Sequence, residues 1–280
     1  MKKIFLSFIF CSIVFSVKSQ SNYTITIHLK NCKDTIAYLT YYQFDKTLIK
    51  DTCRSIKNGK IVFTGNGKLE KGIYSLVSQQ KTIYFDFFVD NENQNLEFKN
   101  DMGRDVFEGL YAVNSPLENA FFDYVKFIAK QNKAFQNYKQ SIELKNQKDS
   151  LHLIDKQKEF DQLIQEYEHK FLDKNRGTYI ADVMNLKMEK VLKDVPKASN
   201  GRPDSLVVYK YYRNHYWDDV NFKDEGTMRN PFFFPKFKKY FESVVPINPD
   251  SVTVEIDKIL DKPIQGGLMY KLMLACTSSN

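Results

Sequence analysis

Glycine is scarce in this sequence. Eleven glycines in 280 residues fall below the usual ~7%, which argues against folds built on Gly-rich phosphate loops. No G-x-S-x-G, H-E-x-x-H, Walker loop or dinucleotide fingerprint occurs. Gly65-Asn66-Gly67-Lys68 has the look of a phosphate-loop fragment, but Leu69 stands where Ser or Thr is needed, so it reads as a turn. Tryptophan occurs once, and C-x-x-C not at all, so no redox dithiol is evident. After residue 19 no apolar run reaches the ~20 residues that a bilayer span needs. No basic stripe or aromatic-basic motif is present either, so no nucleic-acid partner is expected.

What is present supports a folded chain. At 42% hydrophobic and 27% charged, it can bury a sizeable core, which excludes wholesale disorder. Met1-Lys2-Lys3 precedes an apolar run from Ile4 to Val17, which is too short to span a bilayer and suits the core of a signal peptide. Val17-Lys18-Ser19 offers a leader-peptidase site, leaving Gln20 as the new N-terminus. Cys11 lies inside the apolar run behind bulky Phe10, so lipidation there is not expected. The reading is a periplasmic or secreted protein. Removing residues 1–19 takes away three lysines and no acid, lowering the net charge from +7 to +4. Three cysteines then remain, Cys32, Cys53 and Cys276, which cannot all pair within one chain. Cys32 falls in a turn and Cys53 in a strand. A bridge between them and two separate thiols both stay open.

Residues 20–113 read as strands. Tyr23, Ile25, Ile27 and Leu29 alternate with polar residues at the period of a half-buried strand. Further strands are expected over 36–42, 47–56, 61–64, 72–78, 82–89, 96–99 and 106–113. Asn58-Gly59 between two of them signals a hairpin with a type I′ turn. The set suggests an antiparallel sandwich or open barrel.

The period changes at Ser115-Pro116-Leu117-Glu118, which has the form of a capping box. Leu117, Phe121, Tyr124, Ile128, Gln131, Phe135, Tyr138 and Ile142 then recur in alternating steps of four and three. A second helix carries Leu153, Phe160, Ile164, Tyr167 and Phe171 at matching spacing. Two such seams joined by a short polar turn predict an antiparallel helical hairpin over 114–176. Shorter helices are expected over 179–192, 204–217, 235–244 and 249–260. A helix-like run from Leu268 stops soon after it begins, so the C-terminus reads as truncated. The fold class is thus α+β: a signal peptide over 1–19, a β-sandwich-like module over 20–113, the hairpin, and a helical module over 177–280.

The chemistry-bearing residues are few. His152 and His169 lie on one helix ~25 Å apart, too far to share an ion. Glu166 and His169 alone fall short of the three or four ligands of a zinc site. His215, Trp217, Asp218 and Asp219 form the densest cluster. Trp217 could stack on a sugar and the acids could serve acid–base chemistry, but adjacent carboxylates do not share a helix or strand face. The alternative is an aromatic anchor before a polar helix end. Phe232-Phe233-Phe234 reads as a core plug, with an exposed docking patch as the alternative.

Some of these segments resemble a known family. Lys57-Asn58-Gly59-Lys60-Ile61-Val62-Phe63-Thr64-Gly65, Gly72-Ile73-Tyr74-Ser75-Leu76, Phe87-Phe88-Val89-Asp90 and Asn114-Ser115-Pro116-Leu117-Glu118-Asn119 carry the resemblance. They look like the N-terminal β-module, of unknown function, that precedes thioredoxin domains in exported thiol–disulfide oxidoreductases of Bacteroidetes-type bacteria. The run from Tyr211 to Asp219, and that from Tyr240 through Ser251, resemble the helical module of unknown function that often follows it. The thioredoxin domain and its W-C-x-x-C site have no counterpart in this sequence. The resemblance therefore implies a non-catalytic interaction or positioning region with an unidentified protein partner. No catalytic residue, cofactor or metal ligand is expected. The alternative is a carbohydrate-binding or carbohydrate-processing protein using Trp217, Asp218 and Asp219.

Overall fold

The computed structural model describes residues 23–102, 108–142 and 147–278. The expected leader, Cys11 and the expected cleavage before Gln20 lie outside them, as does the start of the strand expected from Val106. Eight strands run in chain order: β1 (Tyr23–Lys30), β2 (Ala37–Gln43), β3 (Lys46–Cys53), β4 (Lys60–Gly65), β5 (Gly72–Val77), β6 (Ile83–Val89), β7 (Asn95–Asp101) and β8 (Tyr111–Ala112). They form two four-stranded sheets, ordered β4-β1-β7-β8 and β3-β2-β5-β6. The alternation of β1 turns Tyr23, Ile25, Ile27 and Leu29 inward, where they meet Leu39, Leu76, Phe85 and Phe87 of the second sheet. Rings of Phe87 and Phe98 approach to 4.9 Å across that core. The sandwich is not wholly antiparallel, because β1 and β7 pair in parallel. A parallel pair needs a long crossover, and here the chain builds all of the second sheet between the two strands.

The turn at Asn58-Gly59 forms, with both residues at positive φ (51° and 71°). The hairpin does not. β3 pairs with β2 and β4 with β1, so the turn passes the chain from one sheet to the other. Tertiary burial outweighs the local signal, since Ile61 and Phe63 complete the first sheet's inner face. A Cβ on Gly59 would sit 2.0 Å from the Leu29 carbonyl oxygen, which keeps this position glycine.

The second sheet is covered on its outer face too, and β5 is buried along its whole length. Ile73 and Phe88 there meet Tyr124, Phe171, Tyr179 and Ile180 of the helices. α1 (Pro116–Ser141) begins at Ser115, whose Oγ accepts from the Glu118 amide at 3.3 Å. Glu118 does not complete the expected capping box. Its carboxyl instead accepts the Phe88 amide at 2.9 Å, satisfying a donor on the free edge of β6.

α2 (Gln147–Lys174) returns antiparallel to α1, with ring contacts Tyr138–His152, Phe135–Phe160, Phe127–Tyr167 and Tyr124–Phe171. Every expected seam residue on both helices is at least half-buried. Among the described residues, full burial is confined to the sheet-proximal ends, at Glu118, Phe122, Tyr124 and Phe171. The distal part is two helices thick and stands off the body. Replacing Tyr138 and Ile164 together with Asp is expected to remove about 2–5 kcal/mol by placing charges in that seam. Circular dichroism and melting identical to the parent would show that the seam does not pack.

The remaining helices are α3 (Tyr179–Asn185), α4 (Ser205–His215), α5 (Phe233–Lys239), α6 (Pro249–Leu260) and α7 (Leu268–Ser278). α3 stops seven residues short of the expected end. Asn248 caps α6 by accepting from the Ser251 amide at 3.1 Å. Phe233 is fully buried and Phe232 and Phe234 are half-buried against the helical core, so the triple phenylalanine is a plug. Asn230, itself buried, accepts the Phe232 and Phe233 amides at 2.8 and 3.0 Å.

Candidate functional site

Two features hold chemistry-bearing residues together. The first is the splice between the sandwich and the helices. Residues 224–230 lie against the start of β5, where Ile73 donates its amide to the Arg229 carbonyl at 2.8 Å. Gly72 permits this approach, since a Cβ there would fall 2.8 Å from that of Arg229. Lys71 pairs with Asp224 and lies 4.7 Å from the Tyr179 ring centroid, while the Tyr179 hydroxyl donates to the Gly226 carbonyl at 2.8 Å. Arg229 is 4% exposed and reaches Glu225 at 3.1 Å and Glu70 at 3.3 Å. The second anchor is Phe44, at the tip of the β2–β3 hairpin. It donates its amide to the Met228 carbonyl at 2.9 Å and inserts its ring among Phe233, Phe234 and Phe237. Its φ is +57°, a conformation unusual for a bulky residue. Sequence reading singled out Phe233 and Phe234 as a core plug but missed Lys71, Asp224, Arg229 and Phe44. The nearest signal was Asp224, three residues before Thr227 in a polar turn.

The second feature is a cleft of about 610 Å³ beside Trp217. α4 supplies Arg213 and Asn214 and α6 supplies Glu255 and Lys258. Buried Glu255 receives Tyr240 at 2.6 Å, Arg213 at 2.9 Å and Lys258 at 2.9 Å. Burial alone would raise the Glu255 pKa. The Tyr240, Lys258 and Arg213 hydrogen bonds outweigh it and hold the carboxyl below its ordinary range. That carboxylate is fully engaged, and the other carboxylates lining the cleft are Asp218 and Asp261.

Of the four residues expected as a ligand cluster, the structure brings three near one another. Trp217 and Asp218 line the cleft, and His215 Nδ1 lies 2.6 Å from Asp218 Oδ2. Asp219 turns away. Its φ of +64° reverses the chain, and its carboxylate takes Lys190 at 2.6 Å on the other side. Trp217 is half-buried, with Tyr216, Tyr240 and Phe222 against it at 5.0, 5.1 and 5.3 Å. Its indole Nε1 is buried and has no hydrogen-bond partner. His152 and His169 are both exposed, and among the described residues no three His, Cys, Asp or Glu side chains come together as a metal site. Cys32 and Cys53 are free thiols, each half-buried against the sandwich core, and Cys276 lies half-buried on α7.

Fold and sites together define a small β-sandwich spliced to a helical body that carries a projecting hairpin. Residues 23–121 match the family model described as a domain of unknown function (DUF4369). The match runs from the first residue of β1 into the second turn of α1 and so covers the sandwich. No curated protein matches the chain, and no solved structure does.

Proposed function

We propose that this chain is a non-catalytic, exported interaction or positioning region, similar to the N-terminal part of a thioredoxin-like thiol–disulfide oxidoreductase. The observation that carries the reading is the splice. Arg229, Lys71–Asp224 and Phe44 lock the sandwich to the helical body, which makes a rigid base for presenting the hairpin to a partner. The family match over the sandwich is consistent with a module whose own chemistry is unassigned. The thiols support the non-catalytic part. Burial pushes the Cys32 thiol up, opposite to the lowered pKa of an attacking thiolate, and Cys53 sits in a strand rather than at a helix N-terminus.

The expected result in an insulin-reduction assay with dithiothreitol is turnover at background. Turnover above background that disappears when Cys32, Cys53 and Cys276 are all replaced by Ser would overturn the non-catalytic reading. For the link to oxidoreductases, the coding sequence after codon 280 is decisive. A frame encoding a thioredoxin domain supports it, and an unrelated frame removes that support.

One observation favours the carbohydrate reading, namely that half-buried Trp217 lines a cleft that also presents Asn214, Asp218 and Asp261. Titration calorimetry against a panel of oligosaccharides tests it. Saturable heat lost in Trp217→Phe supports a sugar site, and heat unchanged in that variant excludes one at this cleft.

A further inference from the structure

A second cavity, of about 770 Å³, opens where the β2–β3 hairpin tip meets the helical body. We propose that it is a binding site for a neutral, largely apolar small molecule bearing an aromatic ring. Its volume lies within the ~300–1,000 Å³ of ligand pockets, which favour junctions between modules. Four phenylalanines, Phe44, Phe234, Phe237 and Phe241, supply ring faces and edges, which suit a partner ring at offset or edge-on angles. Val252, Ile256 and Leu272 add an aliphatic wall. Of these, Phe234, Phe241, Val252, Ile256 and Leu272 are only half-buried, so apolar surface remains for an occupant to cover.

The charges at the cavity argue for a neutral occupant. Lys46 and Lys238 are matched by Asp45 and Glu242, and Lys238 lies 3.5 Å from Glu242, four residues further along the chain. A charged ligand would find no excess of the opposite sign, and burying its charge among phenylalanines is unfavourable. Phe44 gives an independent pointer. A bulky residue held at φ +57° is a strained conformation of the kind that clusters at ligand sites, and this one forms part of the cavity lining. Cys276 also lines the cavity. Burial and Asp45 push its thiol pKa up.

Three aromatic dyes that differ in charge test the proposal on the full chain: neutral Nile red, anionic anilinonaphthalene sulfonate and cationic rhodamine 6G. Nile red is expected to bind saturably, at one site, and at least ~tenfold more tightly than either charged dye, a difference of about 1.4 kcal/mol. Ala275→Trp, from an exposed lining position on α7, should abolish that binding. Lys271→Trp, exposed on the same helix and away from the cavity lining, should not. Thermal melts confirm that both variants fold. In the unsubstituted protein, Nile red should slow N-ethylmaleimide labelling of Cys276, read by mass spectrometry, and leave Cys32 and Cys53 unaffected. Absence of saturable binding, equal binding in a folded Ala275→Trp variant, a charged dye as tight as the neutral one, or an unprotected Cys276 would each overturn the proposal.

Discussion

Glu118→Gln is expected to remove a pH-dependent loss of stability from this protein. The Glu118 side chain is 2% exposed, accepts one amide from Phe88 and leaves its Oε2 without a partner. Burial pushes the carboxyl up to about 8; the Phe88 bond opposes this and Asp90 adds to it. The native state therefore holds this proton more tightly than the unfolded chain. Between about pH 4.5 and about pH 8 it binds more protons than the unfolded state, so stability falls as pH rises. The contribution is whole below that window and lost above it, with a size on the order of 5 kcal/mol. Glutamine keeps the acceptor for Phe88 and has no proton to lose.

The measurement is the melting temperature of both proteins across that window, read as the difference between them. Other groups titrate too: Asp86 and Asp182 are raised, mainly by burial, while hydrogen bonds lower Glu189 and Glu255 against theirs. The difference between the two proteins cancels them. The variant should gain on the parent by roughly 10–20 °C from the acid to the alkaline end. Two profiles that stay parallel would show that the Glu118 carboxyl is ionised throughout.

The second large effect lies at Phe44. The residue is 6% exposed and its ring contacts Phe234 at 5.0 Å and Phe237 at 5.6 Å. Truncation to Ala should cost about 3–5 kcal/mol, because the anchor between sandwich and helices is gone. Phe44→Gly loses the same ring but relieves the backbone, which at φ +57° disfavours any L side chain by roughly 1–2 kcal/mol. Glycine should therefore be the less damaging substitution, by about 1 kcal/mol, the reverse of the usual ~0.5–1 kcal/mol preference for Ala inside regular structure. Urea unfolding of the two variants decides it. An alanine variant as stable as the parent would show that Phe44 is not an anchor, and one more stable than the glycine variant would show that its backbone is not strained.

Period and local chemistry alone determined a good deal of this protein. The alternation of Tyr23, Ile25, Ile27 and Leu29, the paired seams of α1 and α2, the Ser115 and Asn248 caps and the type I′ turn at Asn58-Gly59 were all legible, because each depends on residues close in sequence. Pairing was not. Asn58-Gly59 makes its turn whichever strands lie beside it, and only burial of both inner faces sends β3 and β4 to different sheets. Glu118 was read as reaching back to its own helix, yet it caps a strand edge 30 residues away. That the adjacent Asp218 and Asp219 carboxylates diverge was legible, but the positive φ that sends Asp219 to Lys190 was not. The splice was the least visible of all. Lys71 and Asp224 are 153 residues apart, and Phe44 reads as an ordinary aromatic at a strand end until the helical core closes around it. Local propensity acts over a few residues along the chain. Which surfaces meet is decided by the burial of whole faces, and that exists only once the chain has folded.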